Sequence, residues 1–135
     1  MEISITDDSL IKDLNKQSTN RDILEIDIAY LNTTIDDKEY ERPINSRTCI
    51  LASQNSGIVI DQSIIAPDDG GIKKILNFII KYIFRFGKPK TIFIRDMYMK
   101  GILQELCNKT NIKLETRGRL PVIDEFVKEF AGNRY

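Results

Sequence analysis

The sequence predicts an α/β domain: a mixed five-stranded sheet with helices on its faces, in the order β-β-β-α-β-α-β-α. Three observations carry this. Leu24, Ile26, Ile28 and Tyr30 alternate with Glu25, Asp27 and Ala29, the period of two that marks a strand. Arg47 to Gln54 and the β-branched stretch Gly57 to Ala66 flank Asn55-Ser56-Gly57, which reads as a hairpin with a short glycine-containing turn. The apolar run Thr91 to Ile94 and the segment Ile112 to Thr116 each follow a helical stretch, and strand–helix–strand crossovers make parallel pairs.

The remaining elements follow in order. Residues 1–21 form an N-terminal segment in which DDSLIKDLNK predicts a short helix. Asp7 or Asp8 would cap it, with Leu10, Ile11 and Leu14 on one face. The domain proper is then residues 22–135. The polar stretch NTTIDDKEYERPINS, holding Pro43, reads as a loop, and PDDGG ends the hairpin and leads into a helix. In that helix, 72–86, Ile72, Ile75, Leu76, Ile79, Ile83 and Phe86 fall on one face. Phe78, Ile80, Tyr82 and Phe84 widen it and leave a polar stripe of Lys73, Asn77, Lys81 and Arg85. So apolar a helix must be covered on more than one side. A homodimer or larger assembly through Phe78, Tyr82 and Phe84 is therefore expected. A second helix spans about 97–110 and ends at Asn111, a residue that tolerates the left-handed conformation common there. The last helix opens at Pro121, with Val122, Ile123, Phe126, Val127 and Phe130 as its apolar face.

The chain has 135 residues, 41% hydrophobic and 30% charged, which suits one globular domain. No apolar run reaches the roughly 18 residues a membrane span needs, so no membrane partner is expected. The acidic N-terminus lacks a basic, then apolar, signal pattern, which points to a cytoplasmic protein. There is no histidine. That excludes Ser-His-Asp and Cys-His nucleophile systems, histidine zinc sites and histidine acid–base catalysis. Cys49 and Cys107 sit singly in apolar segments and read as small core residues. Net charge is zero but uneven: residues 1–70 hold 14 acids and 6 bases, residues 71–135 hold 6 acids and 14 bases. Two halves that attract one another account for this, as does a weaker alternative, an anion-binding face open to nucleic acid. Phosphate-loop, GxGxxG and CxxC patterns are all absent.

Three segments in this order carry a resemblance: ILEIDIAYL, with an acid mid-strand; ILASQNSGIVI, with its hairpin; and GKPKTIFIRD, a buried strand ending in an acid. Over roughly residues 22–130 the chain resembles the ribonuclease H-like fold of ribonucleases H, retroviral-type integrases and transposases. It also resembles an uncharacterised group of bacterial domains. The shared features are Ile26-Asp27-Ile28, Arg42-Pro43, Gly87 to Asp96, Asn111-Ile112, and Leu120-Pro121 with Asp124. The chain departs from that group's pattern at Ser53, often an Asp there, and at Asn111, where the group has Gly.

The resemblance implies which acids to weigh. Active ribonuclease H-like enzymes gather acids from the first strand, the fourth strand and the last helix around divalent ions. Mapped here, the candidate catalytic residues are Asp27, Asp96 and either Asp124 or Glu125, with Asp27 and Asp96 as candidate metal ligands. The ion would be Mg²⁺ or Mn²⁺ and the substrate a DNA or RNA phosphodiester. Each acid also has a plainer role. Asp96 stands where a helix cap belongs, and Asp124 and Glu125 lie in a first helical turn that favours acids. Asp27 can sit on the solvated face of a half-buried strand. Arg95, Arg117 and Arg119 could bind phosphate or pair with these acids. The reading that weighs more is a non-catalytic binding or assembly module with no certain cofactor; the alternative is a divalent-metal nuclease. In a degenerate relative, Arg95 or Arg119 would stand in for the metal beside Asp27.

Overall fold

The computed structural model of the chain describes residues 8–33, 44–65 and 71–132. The elements are α1 (Asp8–Asn15), β1 (Ile23–Thr33), β2 (Ile44–Ser53), β3 (Ile58–Ile64), α2 (Ile72–Phe86), β4 (Thr91–Ile94), α3 (Met97–Thr110), β5 (Lys113–Thr116) and α4 (Pro121–Gly132). One five-stranded sheet runs in the order β3-β2-β1-β4-β5. The longest strand, β1, lies at its centre. It pairs antiparallel with β2 and parallel with β4, as the crossover through α2 requires. β5 extends the parallel half.

Strands β1 and β2 are longer than their apolar patterns suggest. The ladder continues to the pair Thr33 and Ile44, through Asn32 and Asn45. Backbone N–H and C=O groups make that ladder, and polar side chains do not prevent it. The stretch 32–46 is therefore strand at both ends and not wholly loop. Residues 34–43, with the Arg42-Pro43 motif, lie outside the described residues, as do Asp7 and the stretch 66–70.

Strand alternation assigns the two faces. Leu24, Ile26, Cys49, Leu51, Ile92 and Ile94 pack with α1, α2 and α3 into the main core, where Leu14, Ile75, Ile79, Ile83, Met99, Leu103 and Leu106 are also buried. On the other face Ile50 and Ala52 meet Leu120 and Ile123 at the start of α4. Phe78 and Tyr82, expected on an assembly surface, lie in the main core of a single chain, and only Phe84 of that trio is exposed. The α1–α3 layer already covers the wide apolar face of α2. Cys49 and Cys107 are free and buried, and burial pushes both thiols up to about 12.

Two backbone positions set how the helices enter and leave. Gly87 ends α2 at φ 99°, and a Cβ there would lie 2.5 Å from the Ser18 carbonyl oxygen, so the turn before β4 admits only glycine. Asn111 ends α3 at φ 58° and donates its N–H to Cys107 O.

Candidate functional site

The β1–β4 register sets the site. Glu25 stands opposite Phe93, so two residues further along Asp27 comes beside Arg95. All four side chains belong to the α4 face of the sheet. Asp27 is 7% exposed. Arg95 Nε lies 3.3 Å from Asp27 Oδ2, an ion pair outside hydrogen-bond geometry. Arg95 Nη2 donates to Asp124 Oδ1, and the other oxygen of that carboxylate accepts from Leu120 N at 3.1 Å. One guanidinium thus links a strand acid to a helix acid.

The charges of this group are interdependent. Burial raises the Asp27 carboxyl above its ordinary value. The Ile28 N–H and Arg95 oppose that rise, while the nearby charges of Asp96 and Asp124 add to it. Arg95 is held more basic than usual, first by its hydrogen bond to Asp124 and further by the charge of Asp27, against the effect of burial.

Asp96, expected beside Asp27, is engaged elsewhere. Its backbone is extended, at φ −125° and ψ 169°, and its Oδ1 accepts from Met99 N at 2.8 Å, so it caps α3. Strand phase explains this: Ile92 and Ile94 face the main core, and the residue that continues the Phe93 phase toward α4 is Arg95. Glu125 is exposed on α4. Of the three arginines weighed, Arg95 is the one between the acids. Arg117 bonds Glu115 Oε2 at 2.7 Å and lies 4.8 Å from the Phe93 ring centre. Lys113 and Arg117 together hold the Glu115 carboxyl below its usual range. Arg119 is exposed.

One residue of the site escaped the sequence reading. Glu25 is fully buried. Its Oε1 accepts from Ile123 N at 2.9 Å, and its Oε2 accepts from Val122 N at 3.3 Å and Gln54 Nε2 at 2.9 Å. A strand carboxylate therefore satisfies the open N–H groups of the first turn of α4 and meets its positive dipole end. Only half of the signal was local: α4 is opened by Pro121 without a Ser, Thr, Asp or Asn before it, so its first N–H groups need an acceptor from elsewhere.

These residues do not fit a divalent metal centre. The ligand positions of Asp27 and Asp124 face a guanidinium, Asp96 faces a backbone amide, and Glu25 is turned into the first turn of α4, where three donors hold it. Among the described residues, no group of three or more Asp, Glu, Cys or His side chains is placed to hold a metal ion. The arrangement locks α4 onto the centre of the sheet and presents a partly exposed Arg95–Asp124 pair at the carboxyl end of β4.

Solved structures share this fold. Two are the catalytic core domain of HTLV-2 integrase in complex with magnesium. The trimeric form has a TM-score of 0.53 at 19% identity, over 81% of this chain and 65% of that one. The dimeric form has a TM-score of 0.52 at 17% identity, over 86% and 71%. A third is the simian T-cell lymphotropic virus intasome in complex with PP2A regulatory subunit B56 gamma, with a TM-score of 0.53 at 17% identity, over 90% and 43%. The chain thus spans about two thirds or less of the first and third of these. At such identities the likeness shows the fold, which is ribonuclease H-like, and nothing finer. No helix among the described residues is long and apolar enough to cross a membrane. No curated protein gives a significant match. Residues 10–131 match the family described as Domain of unknown function (DUF6930), and the chain belongs to that family.

Proposed function

We propose that this domain is a non-catalytic binding or assembly module built on a ribonuclease H-like fold. The observation that supports this reading is Arg95, whose guanidinium contacts both Asp27 and Asp124. In a metal-dependent nuclease, acids in such positions need a divalent ion between them to activate water and stabilise a leaving oxygen. A guanidinium neutralises the acids and does neither. It cannot leave without stranding the buried Asp27 charge. The domain then serves through its surface. The exposed apolar residues Phe84 and Met97 are where association of copies or of a partner would be felt first.

Mn²⁺ titration tests the reading. Purified protein is expected to show no thermal shift with Mn²⁺ and no nicking of DNA or RNA. A Mn²⁺-dependent shift that Asp96→Asn abolishes, together with nicking, would overturn it in favour of the nuclease. Light scattering over a concentration series reports whether the module self-associates.

A further inference from the structure

A concave site lies away from Arg95, beside the amino end of β1. It has a volume of about 370 Å³ and is lined by Asp22, Ser53, Asn55, Ser56, Ile58, Ile60, Tyr82 and Phe86. This is within the roughly 300–1,000 Å³ range of small-molecule sites, and its mix of apolar walls with a few convergent polar groups is typical of them. Asp22 precedes Asp27 by five residues, so the two acids lie roughly 16 Å apart along the strand. Residue 22 also has the phase of Leu24 and Ile26, which face the α1–α3 layer, whereas Asp27 faces α4.

The polar floor is ordered. Asp22 Oδ1 accepts from Ser53 Oγ at 2.6 Å and from Ile23 N at 3.0 Å, and Asp22 Oδ2 accepts from Tyr82 Oη at 2.7 Å. The Tyr82 hydroxyl accepts in turn from Asn20 Nδ2 at 3.1 Å. Asn55 Nδ2 is directed to Arg21 O at 2.8 Å, and Ser56 N to Ser53 Oγ at 3.3 Å. The Ser53 and Tyr82 hydroxyls are thus engaged with Asp22. Asp22 Oδ2 keeps acceptor capacity for a ligand, since it takes one of its two natural hydrogen bonds from Tyr82.

At Asp22 a ligand that donates is favoured, and a charged donor most. Among the described residues, no Lys or Arg forms an ion pair with Asp22, while Asp27 and Asp124 each have one and Glu115 has two. The walls supply the rest. Ile58 is 58% exposed and Phe86 49% exposed, so two large apolar side chains of the lining are open to a ligand. The Tyr82 and Phe86 ring centres are 5.1 Å apart and tilted by 43°. Arg85 lies 5.2 Å from the Phe86 ring centre, so positive charge at that end would be repelled. Charge belongs at the Asp22 floor and the apolar body between Ile58 and Phe86.

We infer that this cavity binds a small organic cation, a protonated amine on a compact aliphatic or aromatic body, with the ammonium on Asp22 and the body between Ile58 and Phe86. The site is separate from Arg95, so its failure and that of the proposed function are read independently.

The test is a methyl NMR titration of isoleucine-labelled full chain with benzylamine, using benzyl alcohol and benzoate as isosteric controls. Benzylamine is expected to shift the Ile58 and Ile60 methyl signals saturably, with about tenfold weaker effects from benzyl alcohol and none from benzoate, since a charge-assisted bond adds about that much. Asp22→Asn should reduce the benzylamine response to that of the alcohol. Ile58→Lys, at an exposed position that leaves the Asp22 network intact, should abolish it by placing a cation at the mouth. The inference is overturned by an absent or unsaturable benzylamine response, by equal responses to amine and alcohol, or by undiminished binding in Ile58→Lys.

Discussion

Arg95, the residue after β4, lies beside Asp27 of β1, with the arginine Nε 3.3 Å from a carboxylate that is nearly buried. Removing the cation leaves Asp27 without a counter-charge in a site that water reaches poorly. Arg95→Met is expected to lower stability at neutral pH by about 1–3 kcal/mol, less than for a fully buried pair because the Arg95 side chain reaches solvent. Adding Asp27→Asn should restore part of that loss. Urea denaturation of the wild type, both single variants and the double variant measures the coupling. Simply additive effects would show that the pair stabilises nothing.

The raised Asp27 carboxyl has a pH signature. Its folded value lies above 3.8, mainly through burial. Folding therefore favours the protonated acid. The stability it contributes is full below 3.8 and is lost as pH rises through the folded value. Asn at position 27 does not titrate. The stability of the wild type relative to Asp27→Asn should thus fall as pH rises from 3.8 through the folded value and level off above it. Denaturation curves at matched pH values check this. A difference that is flat, or that grows with pH, would mean that Arg95 outweighs burial.

Much of this architecture was legible in the sequence. Period-two alternation located β1, the Asn55-Ser56-Gly57 turn located the hairpin, and Pro121 and Asn111 marked helix ends. These signals are local, so a single sequence carries them. The site was harder, because it depends on register. The order of elements says that β1 and β4 are parallel neighbours, but not whether residue 27 meets 95 or 96. That single step decides between an acid–arginine pair and two facing acids. The burial of Phe78 and Tyr82 was missed for a related reason: periodicity shows that a helix is apolar on two sides, but not whether its own chain or another covers them. Glu25 was passed over because its partners, the amides of Val122 and Ile123, lie nearly a hundred residues away and have no side-chain signature.

Asp96 acts through its own helix. Its carboxylate accepts the Met99 N–H, so Asp96→Ala should cost about 1 kcal/mol, while Asp96→Ser, which keeps an acceptor, should cost less. Hydrogen exchange at the Met99 amide should quicken in the alanine variant and stay near the wild-type rate in the serine variant. Equal losses in both variants would point to a role for the charge, through its proximity to Asp27, beyond capping.

Glu25 offers the sharpest test of how α4 is joined to the sheet. It is fully buried, and its partners come from two elements: Gln54, which follows β2, and the first turn of α4. Glu25→Ala removes the acceptor and leaves three donors in a site too enclosed for water to replace it. Each unmade bond of this kind costs about 1–3 kcal/mol, so a loss of roughly 3–5 kcal/mol is expected after local relaxation. Glu25→Gln keeps an acceptor oxygen but turns an NH₂ toward N–H groups, and should fall between. The loss is also expected to be local before it is global. Val122 and Ile123 amides should exchange faster in Glu25→Ala under conditions where the main-core amides of β4 remain protected, because α4 packs on the opposite face from that core. If exchange rises equally at β4 and α4, Glu25 supports the whole sheet and is not the latch of α4. If it rises at neither, the helix is held by Leu120 and Ile123 packing alone, and the carboxylate contributes no more than its own solvation.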